Sequence, residues 1–281
     1  MNYRIVTDSA SSLFSITGAD FKSVPLKIIA GKTEYKDIPT LNVDEMVADL
    51  QSFKDKTSTS CPNVYDWLSA FEGADRIFAV TITSNLSGSY SAAMQAAKEY
   101  TKDHPERQVH VVDSLSAGPE MILLLEKLRE LAEDRRSFEE ILAQIEAYKK
   151  HTHLLFSLQS LNNLARNGRV SPAVAKIAGV LGIRVVGKAS NEGTLEPLHK
   201  CRGEKKALST LLQEMKNHGY SGGRVEILHC LNEESARDLS FMISKDFPSA
   251  SVFIRPCTAL CAYYAEKGGF LVGYEDANPI E

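Results

Sequence analysis

The chain has 281 residues, 43% of them hydrophobic and 24% charged, and its 32 lysines and arginines against 36 aspartates and glutamates leave a net charge of −4. A chain of this length and composition buries a substantial core in one or two domains without staples, which excludes disorder as its main character. The mildly acidic balance also excludes a protein that grips nucleic acid chiefly by neutralising phosphates, because that takes a concentrated cationic face.

In chain order, Tyr3 to Thr7 reads as a strand directly after Met1, with no apolar leader before it, so a cytoplasmic protein is expected. Val43, Met46, Val47 and Leu50 recur at helical spacing behind Asn42 as N-cap, with Glu45 three residues on. Thr57 to Pro62 is rich in hydroxyls and poor in aliphatic residues, and reads as a loop. Arg76 to Thr83 and Gln108 to Asp113 are strands separated by an alanine-rich helical stretch. Ser137 and Glu140 form a capping box ahead of a stripe of Phe138, Ile141, Leu142, Ile145 and Tyr148. The longest apolar runs, Met121 to Leu125 and the glycine-broken Ile177 to Ile183, are too short to cross a bilayer.

Further on, Ile183 to Ser190 and Thr194 to Lys200 flank Asn191-Glu192-Gly193 as an antiparallel hairpin. A helix ending at Gly219, a strand Arg224 to His229, a helix from Asn232 toward Pro248 and a strand Ser251 to Arg255 complete a second α/β pattern. The expected fold is therefore α/β with two domains: 1–158, built on a mostly parallel sheet, and 159–281, containing the hairpin. Five dispersed cysteines suit reduced thiols. Cys257 and Cys261 would share a helical face, yet no further ligand stands near them in sequence, so no metal site is expected.

The motifs that wrap nucleotide phosphates, bind zinc on a helix or form a nucleophile elbow are absent. Instead, hydroxyl-rich segments follow three predicted strands, at the edge where an open α/β sheet takes its ligand. These are Thr7 to Ser12, Thr81 to Tyr90 and Asp113-Ser114. In the second, Ser87-Gly88-Ser89 precedes the alanine-rich helix, where free backbone N–H groups suit a carboxylate or phosphate, and where Ser87 or Ser89 equally suits a helix cap. Asp8 and Asp113 fit turn positions that order backbone amides. Arg169, in Asn167-Gly168-Arg169, and Arg202 are the cations placed to face an anion or a partner.

Taken in order, these segments resemble the DegV family of bacterial proteins over nearly the whole chain. The resemblance rests on Val6-Thr7-Asp8-Ser9, Val24-Pro25-Leu26, Thr59-Ser60-Cys61-Pro62, Ser84-Asn85-Leu86-Ser87-Gly88-Ser89-Tyr90, Val112-Asp113-Ser114, Asn167-Gly168-Arg169-Val170-Ser171 and Cys201-Arg202-Gly203-Glu204. It implies a DegV-like two-domain fold that binds a long-chain fatty acid without catalysis, cofactor or metal. The carboxylate would lie near the domain junction, with much of the acyl tail in the C-terminal domain. A separate ATP-binding kinase subunit of a fatty acid kinase would then phosphorylate the presented carboxylate. By position, Thr59 and Ser87 would donate to that carboxylate with amides around Gly88 assisting, and Arg169 and Arg202 would face the partner near the mouth.

Where the family usually has a His followed by Gly-Pro-Gly, this chain has Tyr264-Ala265-Glu266-Lys267-Gly268-Gly269. Tyr264 there can donate a hydrogen bond but cannot become cationic, and Glu266 would repel a carboxylate if it faced inward. The alternatives are an acyl hydrolase with Ser87 as nucleophile, or a divergent binder of another small anion. The hydrolase needs a base, and His151, His153 and His229 stand in no partner motif.

Overall fold

The computed structural model describes residues 3–134, 136–178 and 182–276; residues 179–181 of the apolar run Ile177 to Ile183 lie outside them. The chain opens with β1 (Tyr3–Asp8), a 3-10 turn at Ser9–Ser11, and β2 (Asp20–Val24) parallel to β1. Next come β3 (Lys27–Ala30), β4 (Thr33–Lys36), helix α1 (Val43–Ser52) and β5 (Thr57–Ser60), whose strands form a small antiparallel sheet ordered β4-β3-β5. Helix α2 (Val64–Phe71), β6 (Arg76–Thr81), α3 (Ser89–Asp103) and β7 (Gln108–Asp113) complete a parallel sheet ordered β2-β1-β6-β7. Then follow α4 (Pro119–Glu133), α5 (Phe138–Tyr148), β8 (Thr152–Leu158), α6 (Asn162–Arg166) and α7 (Pro172–Ala178).

The remainder comprises β9 (Ile183–Ala189), β10 (Leu195–Arg202), α8 (Glu204–Asn217), β11 (Arg224–His229), α9 (Glu233–Asp246), β12 (Ser251–Pro256), α10 (Ala259–Ala265) and β13 (Phe270–Glu275). Together with β8 these strands make a mixed sheet ordered β10-β9-β8-β13-β11-β12, and β9 and β10 are the expected hairpin.

Both faces of the parallel sheet are covered, which is why its strands read as near-continuous apolar runs. Val6, Ile77 and Ala79 pack with Trp67 and Phe71 of α2 and with Ala93 and Ala96 of α3. Their alternates Ile5, Phe78 and Val80 face α4 and α5. Met121 to Leu125 are buried all round because α4 contacts both β6 and β13, so the helix lies between the two large sheets. The capping box at Ser137 forms in both directions, and Asn42 Oδ1 accepts the Glu45 N–H at 3.3 Å.

Two expectations change, and a third, the domain boundary, is revised as a proposal. Thr57–Ser60 is a strand, paired with β3 in the register Thr57↔Ala30 to Ser60↔Lys27. β-Branched threonines suit a pleated strand, and the period of two turns Thr57 and Thr59 to the same side. The division at 158 falls after β8, yet β8 hydrogen-bonds between β9 and β13 in the six-stranded sheet. We propose a division ahead of Thr152. Cys257 and Cys261 are both buried, but Cys257 precedes α10 rather than sharing it.

Glu120, in the first turn of α4, is buried with the Thr152 hydroxyl donating to it at 2.8 Å. Burial pushes its carboxyl up to about 7, against the opposing effect of the Ser116 and Thr152 hydroxyls. A folded-state value above the unfolded one means the unfolded chain ionises first, so stability falls as pH rises from the ordinary carboxyl range through about 7. Glu120→Gln is therefore expected to change little at pH 4 and to stabilise by about 3 kcal/mol at pH 8. Urea denaturation at the two pH values measures it, and an equal effect at both would contradict it.

Candidate functional site

The loops after β1, β6 and β7 are held by two carboxylates. Asp8, wholly buried at the end of β1, accepts from the Ala10 N–H at 3.2 Å, the Ile82 N–H at 3.0 Å and the Ser89 hydroxyl at 2.6 Å. Burial pushes its carboxyl up to about 7 although all three donors pull it down. Asp113 accepts from the N–H groups of Ser84 and Leu115. Both acids thus organise loops, and the Ser89 hydroxyl is committed to Asp8. Ser87 is placed differently. Its oxygen accepts the Ser89 N–H at 3.3 Å at the start of α3, and a hydroxyl that accepts in this way still carries its own proton to donate.

Opposite this loop stands α10. The Thr59 and Tyr264 hydroxyls meet at 2.7 Å, and those of Thr57 and Tyr263 at 2.6 Å, so alternate residues of β5 meet consecutive tyrosines of the helix. Asn167 donates to the Tyr263 hydroxyl at 2.9 Å and Asn163 to its carbonyl at 2.8 Å, fixing α10 against α6 and the segment that follows. Burial raises the Tyr264 hydroxyl above its ordinary value, while its bond to Thr59 and the Arg169 charge act the other way. Arg169 donates through Nε to the Leu86 carbonyl at 3.0 Å and lies 6.0 Å from the Tyr264 ring centroid. It ties the segment after α6 to the loop that carries Ser87. Glu266 turns away, accepting from the Ser160 hydroxyl at 2.8 Å and the Asn163 N–H at 3.2 Å. The repulsion that an inward Glu266 would cause does not arise.

Thr59, Ser87, Gly88, Arg169 and Tyr264 all line one cavity of about 310 Å³. Its other walls are mainly aliphatic, including Leu158, Leu164, Leu260 and Leu271, so a polar cluster faces an apolar chamber. Cys61 lines it beside Gly88, where a Cβ on the glycine would stand 3.2 Å from the Cys61 sulfur. Arg202 does not line it. It is exposed at the end of β10, the edge strand of the six-stranded sheet. Among the described residues, none that lines the cavity is a histidine, an aspartate or a glutamate. His151 and His153 instead meet Asp276 at 3.0 and 3.1 Å.

A family model described as "Uncharacterised protein, DegV family" matches residues 2–276. The chain belongs to the DegV family. It is 42% identical over 279 residues to a DegV domain-containing protein of Streptococcus pneumoniae, covering 98% of this chain and 99% of that one. The crystal structure of a DegV family protein from Eubacterium eligens, loaded with heptadecanoic acid, superimposes with a TM-score of 0.96 at 43% identity, covering 98% of this chain and 99% of that one. The Streptococcus pneumoniae Fatty Acid Kinase (Fak) B3 protein, loaded with linoleic acid, gives a TM-score of 0.96 at 42% identity with the same coverage.

Several of the DegV segments read from the sequence fall around this site, while Cys201-Arg202-Gly203-Glu204 lies apart from it at the end of β10. Val6 to Ser9 ends β1, Ser84 to Tyr90 is the loop into α3, and Asn167-Gly168-Arg169 follows α6. Sequence reasoning missed Asp37, which is buried and accepts from the N–H groups of Ala259 at 2.9 Å and Leu260 at 3.1 Å. It caps α10 from more than two hundred residues away, a pairing that leaves no local signal. Tyr263 and Asn167 were missed as well. The doublet Tyr263-Tyr264 was the visible hint, since two polar-tipped aromatics on a short buried helix need partners for both hydroxyls.

Proposed function

We propose that this protein binds a long-chain fatty acid and presents its carboxylate to a separate ATP-dependent kinase subunit for acyl phosphate formation. The observation that carries the reading is the cavity itself, an aliphatic chamber whose polar side, among the described residues, holds hydroxyls and one arginine and no carboxylate. In the Thr59 and Tyr264 pair one hydroxyl donates to the other, so the accepting partner keeps a proton for a ligand. With the Ser87 hydroxyl and the backbone at Gly88, that gives donors from two sides. Charge-assisted hydrogen bonds contribute roughly 1.5–3 kcal/mol each and each buried methylene about 0.8 kcal/mol, so the chain supplies most of the affinity and the head group fixes orientation.

The two relatives loaded with heptadecanoic and linoleic acid support the ligand class, and the one that is the Fatty Acid Kinase (Fak) B3 protein supports the kinase partnership. A sequence without a nucleotide-phosphate motif agrees with a subunit that carries lipid while another supplies ATP. Arg169, beside the head group, and Arg202, exposed on β10, are the cations we assign to the partner-facing side. Hydrolysis by Ser87 gains no support, because a serine nucleophile needs a base and, among the described residues, the cavity wall holds no imidazole or carboxylate.

Mass spectrometry of an organic extract of the purified, denatured protein tests the reading. Near-stoichiometric fatty acid is expected. A protein that carries none, and takes none up when it is offered, overturns it.

A further inference from the structure

The cavity runs along one face of β8. Leu158, Phe156 and Leu154 alternate onto that face and line it in a row that spans about 13 Å at strand spacing. The polar cluster lies toward the Leu158 end, because α6 begins just after β8 and its Asn163, with Asn167 beyond it, bonds to Tyr263 next to Tyr264. Leu154 stands at the other end of the row. It is 3% exposed and also lines a second cavity of about 320 Å³, and among the described residues no other lines both.

The second cavity differs in chemistry. Glu120, Lys149, Lys188 and His218 line it alongside the apolar Leu115, Leu155 and Ala189. Lys149 is paired with Glu146 at 2.9 Å and Lys188 with Glu196 at 3.8 Å, so its cations are largely committed. The topology explains why the two cavities meet here. The ladder between β8 and β9 runs from Leu158↔Val185 to Leu155↔Lys188 and stops, while β9 continues to Ala189 against Leu195 of β10. Beyond Leu155 the strands part, and the side chain next to the split is Leu154. On its other flank Leu154 pairs with Gly273, where a Cβ would stand 2.5 Å from the Pro119 backbone, so α4 presses directly on the sheet and the wall has little room to yield.

We infer that Leu154 is the stop that limits how long an acyl chain this cavity accepts, a specificity-determining residue at the boundary between an apolar chamber and one that carries charged groups. The inference rests on the fatty acid reading above. A chain that ends against Leu154 has buried every methylene. Each methylene adds about fourfold to affinity while it is transferred from water to an apolar wall. A further one would displace Leu154 into charged surroundings and gain nothing from the transfer.

The test offers the delipidated protein an equimolar mixture of saturated fatty acids differing by two carbons and reads the bound set by mass spectrometry. Leu154→Ala is expected to move the most abundant bound acid to a chain longer by roughly two carbons, since the terminal methyl takes the volume that the isobutyl group leaves. Leu154→Phe is expected to move it to a shorter chain. If the alanine variant does not fold, Leu154→Val makes the smaller truncation and should broaden the set toward longer acids. Variants that load as fully as the wild type with an unchanged chain-length profile overturn the inference. Wild-type protein that binds none of the acids overturns the reading beneath it.

Discussion

Alanine at both Thr59 and Ser87 is expected to weaken fatty acid binding by roughly two to four orders of magnitude. The range comes from two charge-assisted hydrogen bonds at about 1.5–3 kcal/mol each. The two single variants should not be equal. In the Thr59→Ala protein the Tyr264 hydroxyl loses its 2.7 Å partner and becomes free to donate to the carboxylate itself, which offsets part of the loss. Ser87 has no such understudy, because the neighbouring Ser89 hydroxyl is committed to Asp8 at 2.6 Å. Ser87→Ala should therefore cost more than Thr59→Ala, and Tyr264→Phe combined with Thr59→Ala should cost more than either change alone. Competitive displacement of a fluorescent fatty acid measures all five variants, Tyr264→Phe alone included. A double variant that binds as the wild type does would remove the carboxylate from this place in the cavity.

The α/β alternation, the hairpin and the Ser137 capping box were legible because each is carried by local signals: apolar period, a glycine turn and cap chemistry. Thr59, Ser87 and Gly88 were legible through the ordered family segments and Tyr264 through the departure from the family pattern, and all four line one cavity although they come from β5, the loop before α3, and α10. What escaped is non-local. Thr57–Ser60 looked like a loop because nothing in four consecutive hydroxyl residues announces a strand, and its partners β3 and α10 lie far off in sequence. Arg169 and Arg202 looked alike as isolated cations. Only the fold separates them, one bonded to the Leu86 carbonyl inside the site and the other exposed at a sheet edge. The boundary at 158 was set from a change of pattern alone, whereas β8 takes its sheet membership from hydrogen bonds to β9 and β13 and not from its own composition, which is why we propose the earlier division.

Asp37→Ala is expected to lower stability by roughly 3–5 kcal/mol and to reduce fatty acid retention with it. The carboxylate of Asp37 accepts from Ala259 N–H, Leu260 N–H and the Thr258 hydroxyl, so the first turn of α10 depends on a residue between β4 and α1 for its cap. Alanine leaves two buried amides unpaired, and an unpaired buried donor costs about 1–3 kcal/mol. Burial pushes the Asp37 carboxyl up to about 6, against the pull of those same donors. The charged form is therefore held at a cost, and the substitution recovers part of it above that pH. That recovery keeps the expected loss below a full sum over three bonds. The functional consequence follows from what α10 carries. Tyr263 and Tyr264 reach Thr57 and Thr59 from this helix, and Leu260, Cys261 and Ala265 line the cavity wall. A loosened first turn lets both hydroxyl pairs drift apart, so retention should fall even in conditions where the protein remains folded. Urea denaturation, with the slope compared to the wild type, reads the stability, and fatty acid content after gel filtration at low denaturant reads the site. Loss of stability with full retention would show that α10 holds its place without its cap, and would confine Asp37 to a purely structural role.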